Sequence, residues 1–203
     1  MEAKLDRCLS EFLKNNERVL ICCPESSPMG RVIGEAVSRA GGRPVYWEQD
    51  LRWSALLRLA FTGRHKVIAG PPLLLLGLSK LSKQRGTPLF IRNAILMGGC
   101  AEWIRESVET GLDCQSWQIP DGREADDMPR DLLELQDWLL RWSSVIDCRL
   151  VKGTYGLEMQ IVSIPGKKLP QFPTCAKLDI QPFDGERHIP FYLAYDPENL
   201  KNH

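Results

Sequence analysis

Residues 66–102 constrain the fold of this chain more than any other stretch of its sequence. The stretch opens with a short β-branched segment, residues 66–69, and two prolines follow it. Proline is tolerated in the first turn of a helix, because the N–H groups there have no intrahelical partner. Leucines at i, i+4 and i+7 then predict one buried helix face: Leu74, Leu78 and Leu81. A second apolar segment, residues 94–97, leads into Gly98 and Gly99, so the pattern predicts strand, helix, strand and a glycine turn.

The same alternation of apolar segments and amphipathic helices extends over residues 1–120. Residues 2–14 predict an amphipathic helix, and the continuous apolar run at residues 18–23 is typical of a strand that is buried on both faces. Five strands are predicted, at residues 18–23, 44–47, 66–69, 94–97 and 112–117. Strands that alternate with helices predict an α/β fold with a Rossmann-like, doubly wound, mostly parallel sheet and right-handed crossovers.

The pattern changes in the last third of the chain. Residues 121–131 are acidic and poor in apolar side chains, which predicts a linker. A helix over residues 132–142, a hairpin that turns at residues 153–156 and a strand at residues 176–181 follow. The sequence thus predicts an α/β domain at residues 1–120, a linker at residues 121–131 and a small antiparallel β-rich (α+β) unit at residues 132–203.

The composition of the chain indicates which classes of partner and which cellular compartment to expect. The 26 Lys and Arg residues balance the 26 Asp and Glu residues, so composition does not favour nucleic acid as a partner. The sequence has neither a signal-peptide pattern at its N-terminus nor an apolar run long enough for a membrane span, so no membrane is predicted as a partner. Seven cysteines without a CxxC pair argue against a disulfide framework and a zinc site. We therefore predict a cytoplasmic, reduced protein without a structural metal.

Gly98, Gly99 and Cys100 form the first candidate site. They follow a predicted strand, and in doubly wound folds ligands bind at the carboxyl ends of the strands. Glycines there would let a purine or another flat ligand approach the backbone, whereas a tight turn that needs positive φ is the simpler structural explanation. Cys100 is predicted at a helix N-terminus, which lowers the pKa of a thiol, but a small packed cysteine explains it equally.

Ser26, Ser27 and Gly30 form the second candidate site. They surround the start of the predicted helix after the first strand, where N–H groups and the helix dipole could accept an anion. Capping of the helix by a serine explains the same residues.

Two further groups of residues have simple structural explanations. The linker contains four acidic residues that could hold a divalent cation: Asp121, Glu124, Asp126 and Asp127. Their spacing fits no calcium loop, and exposure of a linker to solvent explains them equally well. Trp138 and Trp142 are at helical spacing and either pack their helix or form an aromatic groove for a partner.

Residues 43–117 resemble the middle of the large domain of adenylate-forming enzymes, most of all the phenylacetate–coenzyme A ligase branch. The resemblance is carried by VIAGPPLLLLGLSKLSKQRG, which is similar to the family's strand, Gly-Pro step and Leu-rich helix. It is carried also by IRNAILMGGCAE, which is similar to the family's strand and adenine-contacting glycine turn. The resemblance implies ATP, AMP or coenzyme A as ligand, with Gly98 and Gly99 beside the adenine.

The sequence also departs from the family pattern. No segment resembles the phosphate loop TSGTTG, and residues 117–121 (WQIPD) lack the family's tyrosine and its magnesium-holding glutamate. The resemblance therefore implies a catalytically incomplete relative, with no catalytic residue assigned. Such a relative would bind a nucleotide-like or acyl-type ligand, or a protein partner that supplies the missing motifs, and could form a homo-oligomer. The alternatives are an active or split-subunit acyl-CoA ligase and an unrelated α/β nucleotide-binding protein.

Overall fold

The structure, a computed structural model, describes residues 2–47, 52–119, 130–153, 156–164 and 178–182. The described residues up to 119 belong to one compact unit and those from 130 to 182 to a second. Most of the predicted linker, residues 121–129, lies outside the described residues, as does the chain after residue 182.

The first unit alternates helices and strands along its whole length, as the sequence predicts. In chain order these are α1 (Glu2–Phe12), β1 (Arg18–Ile21), α2 (Pro28–Arg39), β2 (Arg43–Tyr46), α3 (Trp53–Thr62), β3 (Val67–Gly70), α4 (Pro72–Arg85), β4 (Asn93–Met97), α5 (Glu102–Leu112) and β5 (Gln115–Ile119).

The five strands form one parallel sheet in the order β2-β1-β3-β4-β5, which confirms the predicted doubly wound α/β fold. The chain builds the sheet in two directions. From β1 it continues to β2 at one edge of the sheet, and from β3 it continues through β4 to β5 at the opposite edge. The point of reversal lies between β1 and β3, and such a switch point is where open α/β sheets commonly form a ligand crevice.

Helices cover both faces of the sheet. Side chains of α1 and α2, such as Leu9 and Ile33, share a core with alternate strand residues, among them Val19, Ile21 and Ala69. Because successive strand residues point to opposite faces, the intervening ones face the other helix layer, in which α4 contacts both α3 and α5. The central strands β1, β3 and β4 are thus buried between two layers of helices, whereas the edge strands β2 and β5 are partly exposed.

Helix α4 is buried on more sides than its predicted leucine stripe requires. Leu75 and Leu76 are buried in addition to the stripe. Its neighbours approach closely, since an ideal Cβ on Gly77 would lie 2.3 Å from the Trp53 ring of α3. Gly86 caps the end of the helix, with φ of 58°.

The boundaries of α5 and β5 differ from the sequence prediction. Helix α5 begins at Glu102, two residues after Cys100, because the glycine turn continues to Ala101, which takes an extended N-cap conformation. It then runs to Leu112 and ends at Asp113, with φ of 52°. Strand β5 therefore starts at Gln115 rather than at residue 112.

The second unit contains α6 (Arg130–Leu140), β6 (Val145–Gly153), β7 (Gly156–Ser163) and β8 (Leu178–Pro182). Strands β6 and β7 form the predicted antiparallel hairpin, with Gly153 opposite Gly156. Strand β8 joins parallel to β7, so the small sheet is mixed. On α6, the Gln136 amide donates a hydrogen bond of 2.6 Å to the carbonyl of Cys148 in β6. Across the described ranges, no helix combines the length and the apolar character that crossing a bilayer requires.

Candidate functional site

The turn after β1 is closed by its own serine. The Ser27 hydroxyl accepts a hydrogen bond of 2.9 Å from the Gly30 N–H and donates one of 2.7 Å to the Pro24 carbonyl. Ser27 is therefore the N-cap of α2, and it is buried, whereas Ser26 is exposed. Since the cap already occupies the Gly30 N–H, this donor is not available to an anion.

Close packing also closes this turn. An ideal Cβ on Gly30 would lie 2.0 Å from the Pro24 carbonyl oxygen, so the chain can fold back here only with glycine at that position. Ser26, Ser27 and Gly30 lie in one turn. The contacts of Ser27 and Gly30 are those of a capped helix start, which is the structural explanation that the sequence left open.

The crevice at the switch point is filled as well. An ideal Cβ on Gly70, at the end of β3, would lie 2.9 Å from the Cβ of Cys22, which follows β1. Pro71 and Pro72 are both buried. Burial raises the pKa of the Cys22 thiol well above its usual value, so this side chain is a neutral packing group. This contact joins residues that are distant in sequence, and no sequence pattern signals it.

The turn after β4 is open, in contrast to the other two. Gly98 has φ of 111°, a conformation that favours glycine, and its N–H donates to the Ile119 carbonyl at 2.9 Å. Gly99 is exposed, and an ideal Cβ built there would meet no atom within 4 Å. Ala101 is the N-cap of α5 and has no side-chain group that could accept from the helix N–H groups. The backbone of this turn is therefore accessible at Gly99 and Ala101, whereas Gly98 is buried.

Cys100 completes this turn and is partly exposed. Burial raises the pKa of its thiol, and the Arg105 charge only partly opposes that effect. A raised thiol pKa disfavours the reactive thiolate, so the turn has no activated nucleophile at Cys100.

Two carboxylates pair with Arg105, a basic residue in the first turns of α5. The Arg105 guanidinium pairs with Glu102 and, at 3.4 Å, with Glu109. Its hydrogen bond lowers the pKa of the Glu102 carboxyl. Glu109 also accepts from the Ser116 hydroxyl at 2.8 Å, so it is held between α5 and β5. Within the described residues, no group of three His, Cys, Asp or Glu side chains could hold a metal ion.

The two predicted sites thus lie at the same edge of the sheet but in separate turns. The first follows β4 and the second follows β1, and β3 lies between these strands. Sequence reasoning did not predict Gln118, whose amide nitrogen lies 3.5 Å from the Gly98 carbonyl oxygen. Gln118 is the residue before the last one of β5, and the predicted strand, which ended at residue 117, did not include it.

No protein-family model matches the sequence, and no curated protein sequence matches it. Solved structures do match. A benzoate CoA ligase from Burkholderia xenovorans LB400 has 12% identity and a TM-score of 0.55 over 95% of this chain and 65% of the ligase. A mutant of the amide bond synthetase McbA from Marinactinospora thermotolerans has 17% identity and a TM-score of 0.50 over 76% of this chain and 33% of the synthetase.

The chain therefore spans less than two thirds of the length of either enzyme. At such low identity the similarity concerns the fold. It confirms the part of the predicted resemblance that concerns architecture: this chain has an α/β fold like that of the benzoate CoA ligase.

Proposed function

We propose that this protein is a binding protein built on the scaffold of an adenylate-forming ligase, without a complete active site. Its ligand is a flat, nucleotide-like molecule that lies against Gly98, Gly99 and Cys100 at the carboxyl edge of the sheet. The observation that carries the proposal is the open turn after β4. Among the described turns after β1, β3 and β4, it alone has an exposed glycine with free space around it. The helix that follows it has no side-chain cap.

The charges around this turn favour the flat part of a nucleotide over its phosphates. Arg105 is already paired with two carboxylates, so it offers little to a phosphate. Backbone N–H and C=O groups and the Gln118 amide suit the polar edge of a purine. AMP and ATP should therefore bind alike, and magnesium should not strengthen binding.

The absence of a phosphate loop and of a metal-holding glutamate supports a role in binding rather than catalysis. Activation of a carboxylic acid by ATP needs positioned phosphates and positive charge where the transition state develops negative charge. The sequence has no counterpart of the phosphate loop, and Trp117 and Gln118 precede the position at which the family has its metal-holding glutamate. Without these groups little lowering of the barrier is available.

Thermal unfolding of the whole chain with adenosine, AMP, ATP or coenzyme A, each with and without magnesium, tests the proposal. A ligand that binds only the native state raises the melting temperature, and at a concentration about a hundred times its Kd we expect a rise of about 5 to 10 °C. The rise should disappear in Gly99→Leu, because the new side chain enters the open space without displacing a neighbour.

Gln84→Leu is the matched control, since Gln84 is exposed in the last turn of α4, at the opposite edge of the sheet. Equal ligand shifts in both variants would refute the site. A shift that requires both ATP and magnesium would refute the claim that the phosphates contribute little.

A second candidate function is an acyl-CoA ligase that is active with diverged residues or as one subunit of a split enzyme. The extent of the structural match favours it, because the match to the benzoate CoA ligase covers 65% of that enzyme. Pyrophosphate exchange with a set of carboxylic acids separates the two functions. Exchange by this chain alone, or together with a subunit that carries a phosphate loop, would establish the ligase and exclude the non-catalytic role.

A further inference from the structure

Four basic residues lie side by side where four neighbouring strands begin. Arg43 in β2 is in register with Arg18 in β1. The pairing of Val19 with Val67 places Lys66 next to Arg18. The pairing of Val67 with Asn93 places Arg92 next to Lys66. With neighbouring strands about 4.8 Å apart, the row is roughly 14 Å long.

Loops that lead into the strands add two more cations, Lys14 before β1 and Arg64 before β3. We call the six residues together the basic end, and all of them are exposed: Lys14, Arg18, Arg43, Arg64, Lys66 and Arg92. Acidic side chains in the described loops that enter the five strands are limited to Glu17 and Asp113.

Ion pairing neutralises little of this charge. Glu17 pairs with Arg92 at 3.0 Å, and no ion pair to a described residue is found for the other five members. His65, in the same loop as Lys66, is buried and adds no charge. Burial and the nearby Arg18 lower the pKa of its imidazole to about 4, so it is neutral at physiological pH.

Helix dipoles explain only part of this distribution. The C-termini of α2 and α4 lie at this edge, and cations in a last helical turn stabilise the partial negative charge there. That accounts for Arg39, Lys83 and Arg85, which lie in those turns. It does not account for four cations at the starts of neighbouring strands, because like charges on one surface repel one another.

Two exposed phenylalanines accompany the cations. Phe61, in the last turn of α3, is 43% exposed, and Phe90, just before β4, is 56% exposed. The Lys66 ammonium lies 5.5 Å from the centre of the Phe90 ring, so this ring belongs to the cationic row. Large apolar side chains surrounded by Lys and Arg are typical of protein surfaces that enter the interface of an anionic bilayer.

We propose that the basic end is a docking surface for an anionic phospholipid membrane, with Phe61 and Phe90 entering the headgroup region. Six exposed cations on one surface complement the negative charge of such a membrane. A nucleic acid fits less well, because nucleic-acid-binding domains are basic as a whole, whereas the pI here is about 6.8. The proposal is independent of the ligand site, which lies at the opposite edge of the sheet.

Flotation of the whole chain with vesicles tests the docking surface. We compare vesicles of pure phosphatidylcholine with vesicles that contain about one third phosphatidylserine, at low and at physiological salt. Binding should require phosphatidylserine and weaken with salt. Arg18→Gln with Lys66→Gln should reduce the partition coefficient at least about tenfold, since each cation contributes about fivefold near such a surface.

Lys4→Gln with Arg31→Gln is the matched control. Lys4 and Arg31 are exposed and lie near the starts of α1 and α2, away from the basic end, and the change in net charge is the same. This variant should lose less than about twofold in partition coefficient. Thermal unfolding of both double variants confirms that the fold is unchanged.

Phe61→Ser with Phe90→Ser separates insertion from electrostatics. The variant should bind more weakly than the wild type but keep the same dependence on salt. Equal losses in the two charge variants, or binding to pure phosphatidylcholine as strong as to anionic vesicles, would overturn the proposal. Tight, salt-sensitive binding of a single-stranded RNA, lost in Arg18→Gln with Lys66→Gln while vesicles are not bound, would overturn it in favour of a nucleic acid.

Discussion

Some glycines in this chain allow close packing and others form turns, and only their surroundings show which is the case. Gly77 lies against the Trp53 ring, and Gly34 lies against the hydroxyl of Tyr46, so both allow close packing. Gly98 needs its positive φ, whereas Gly99 has open space around it. The sequence predicted Gly98 and Gly99 in a turn. The presence of glycine does not show whether such a turn is filled by neighbouring atoms or accessible to a ligand.

Gly77→Ala should destabilise the protein even though alanine is the better helix former. Helix propensity favours alanine by about 1 kcal/mol, but a Cβ 2.3 Å from a buried tryptophan ring overpacks the contact between α3 and α4. We expect a net loss of about 1 to 2 kcal/mol, measured as a fall of the melting temperature by about 2 to 8 °C.

Gly34→Ala is the control for this prediction. Its new Cβ would meet the end of the Tyr46 side chain, which is only partly buried and can pivot away. The loss should therefore be smaller than for Gly77→Ala. A melting temperature for Gly77→Ala at or above that of the wild type would show that the contact between α3 and α4 is loose.

At the scale of single elements, the starts of α2 and α5 decide which turn is accessible. Ser27 caps α2 with a side-chain oxygen, whereas Ala101 leaves the start of α5 uncapped. The sequence indicated both helices, because the periodicity of their apolar residues is clear. It placed the start of α5 two residues early, since local preference does not determine how many residues a glycine turn consumes.

Ser27→Ala should destabilise α2 by about 1 kcal/mol, because the Gly30 N–H loses its acceptor. That loss corresponds to a fall of about 2 to 4 °C in melting temperature for a chain of this size. Ser26→Ala, one residue earlier and exposed, is the matched control and should leave the melting temperature unchanged.

The same pair of variants tests whether this turn binds anions. If the role of Ser27 is that of a cap alone, added phosphate will shift the melting temperatures of the wild type and of Ser27→Ala equally. Stabilisation by phosphate that is lost in Ser27→Ala would instead establish an anion site at this turn.

At the scale of the whole molecule, a chain without net charge places its charges unevenly. The formal net charge is zero, yet four of its cations meet in one row at the start of the parallel strands. Glu17 is the one carboxylate paired within that row among the described residues, and its side chain is 10% exposed. It accepts from the Lys14 N–H at 3.0 Å as well as from Arg92.

Glu17→Gln should therefore act in opposite directions in two assays. Loss of the charge should lower the free energy of unfolding by about 0.5 to 1 kcal/mol, because a partly buried ion pair becomes a neutral hydrogen bond. Binding to phosphatidylserine vesicles should increase about fivefold, since the basic end gains one unit of positive charge.

Glu106→Gln makes the same change of charge on the exposed side of α5 and is the control. It should leave both measurements unchanged within about twofold in binding and about 0.5 kcal/mol in stability. Weaker vesicle binding by Glu17→Gln than by the wild type would contradict the role of the basic end.

The sequence by itself determined the order of helices and strands, the parallel sheet, the hairpin in the second unit and the position of Gly98 and Gly99 after a strand. These depend on periodicity and on proline and glycine, which act within a few residues along the chain. Only the tertiary structure decided that Cys22 and Gly70 fill the switch point, that the turn after β4 stays open and that Arg18, Arg43, Lys66 and Arg92 meet. Each of these depends on the order of strands in the sheet, which brings together residues far apart in the sequence, and local patterns do not encode that order.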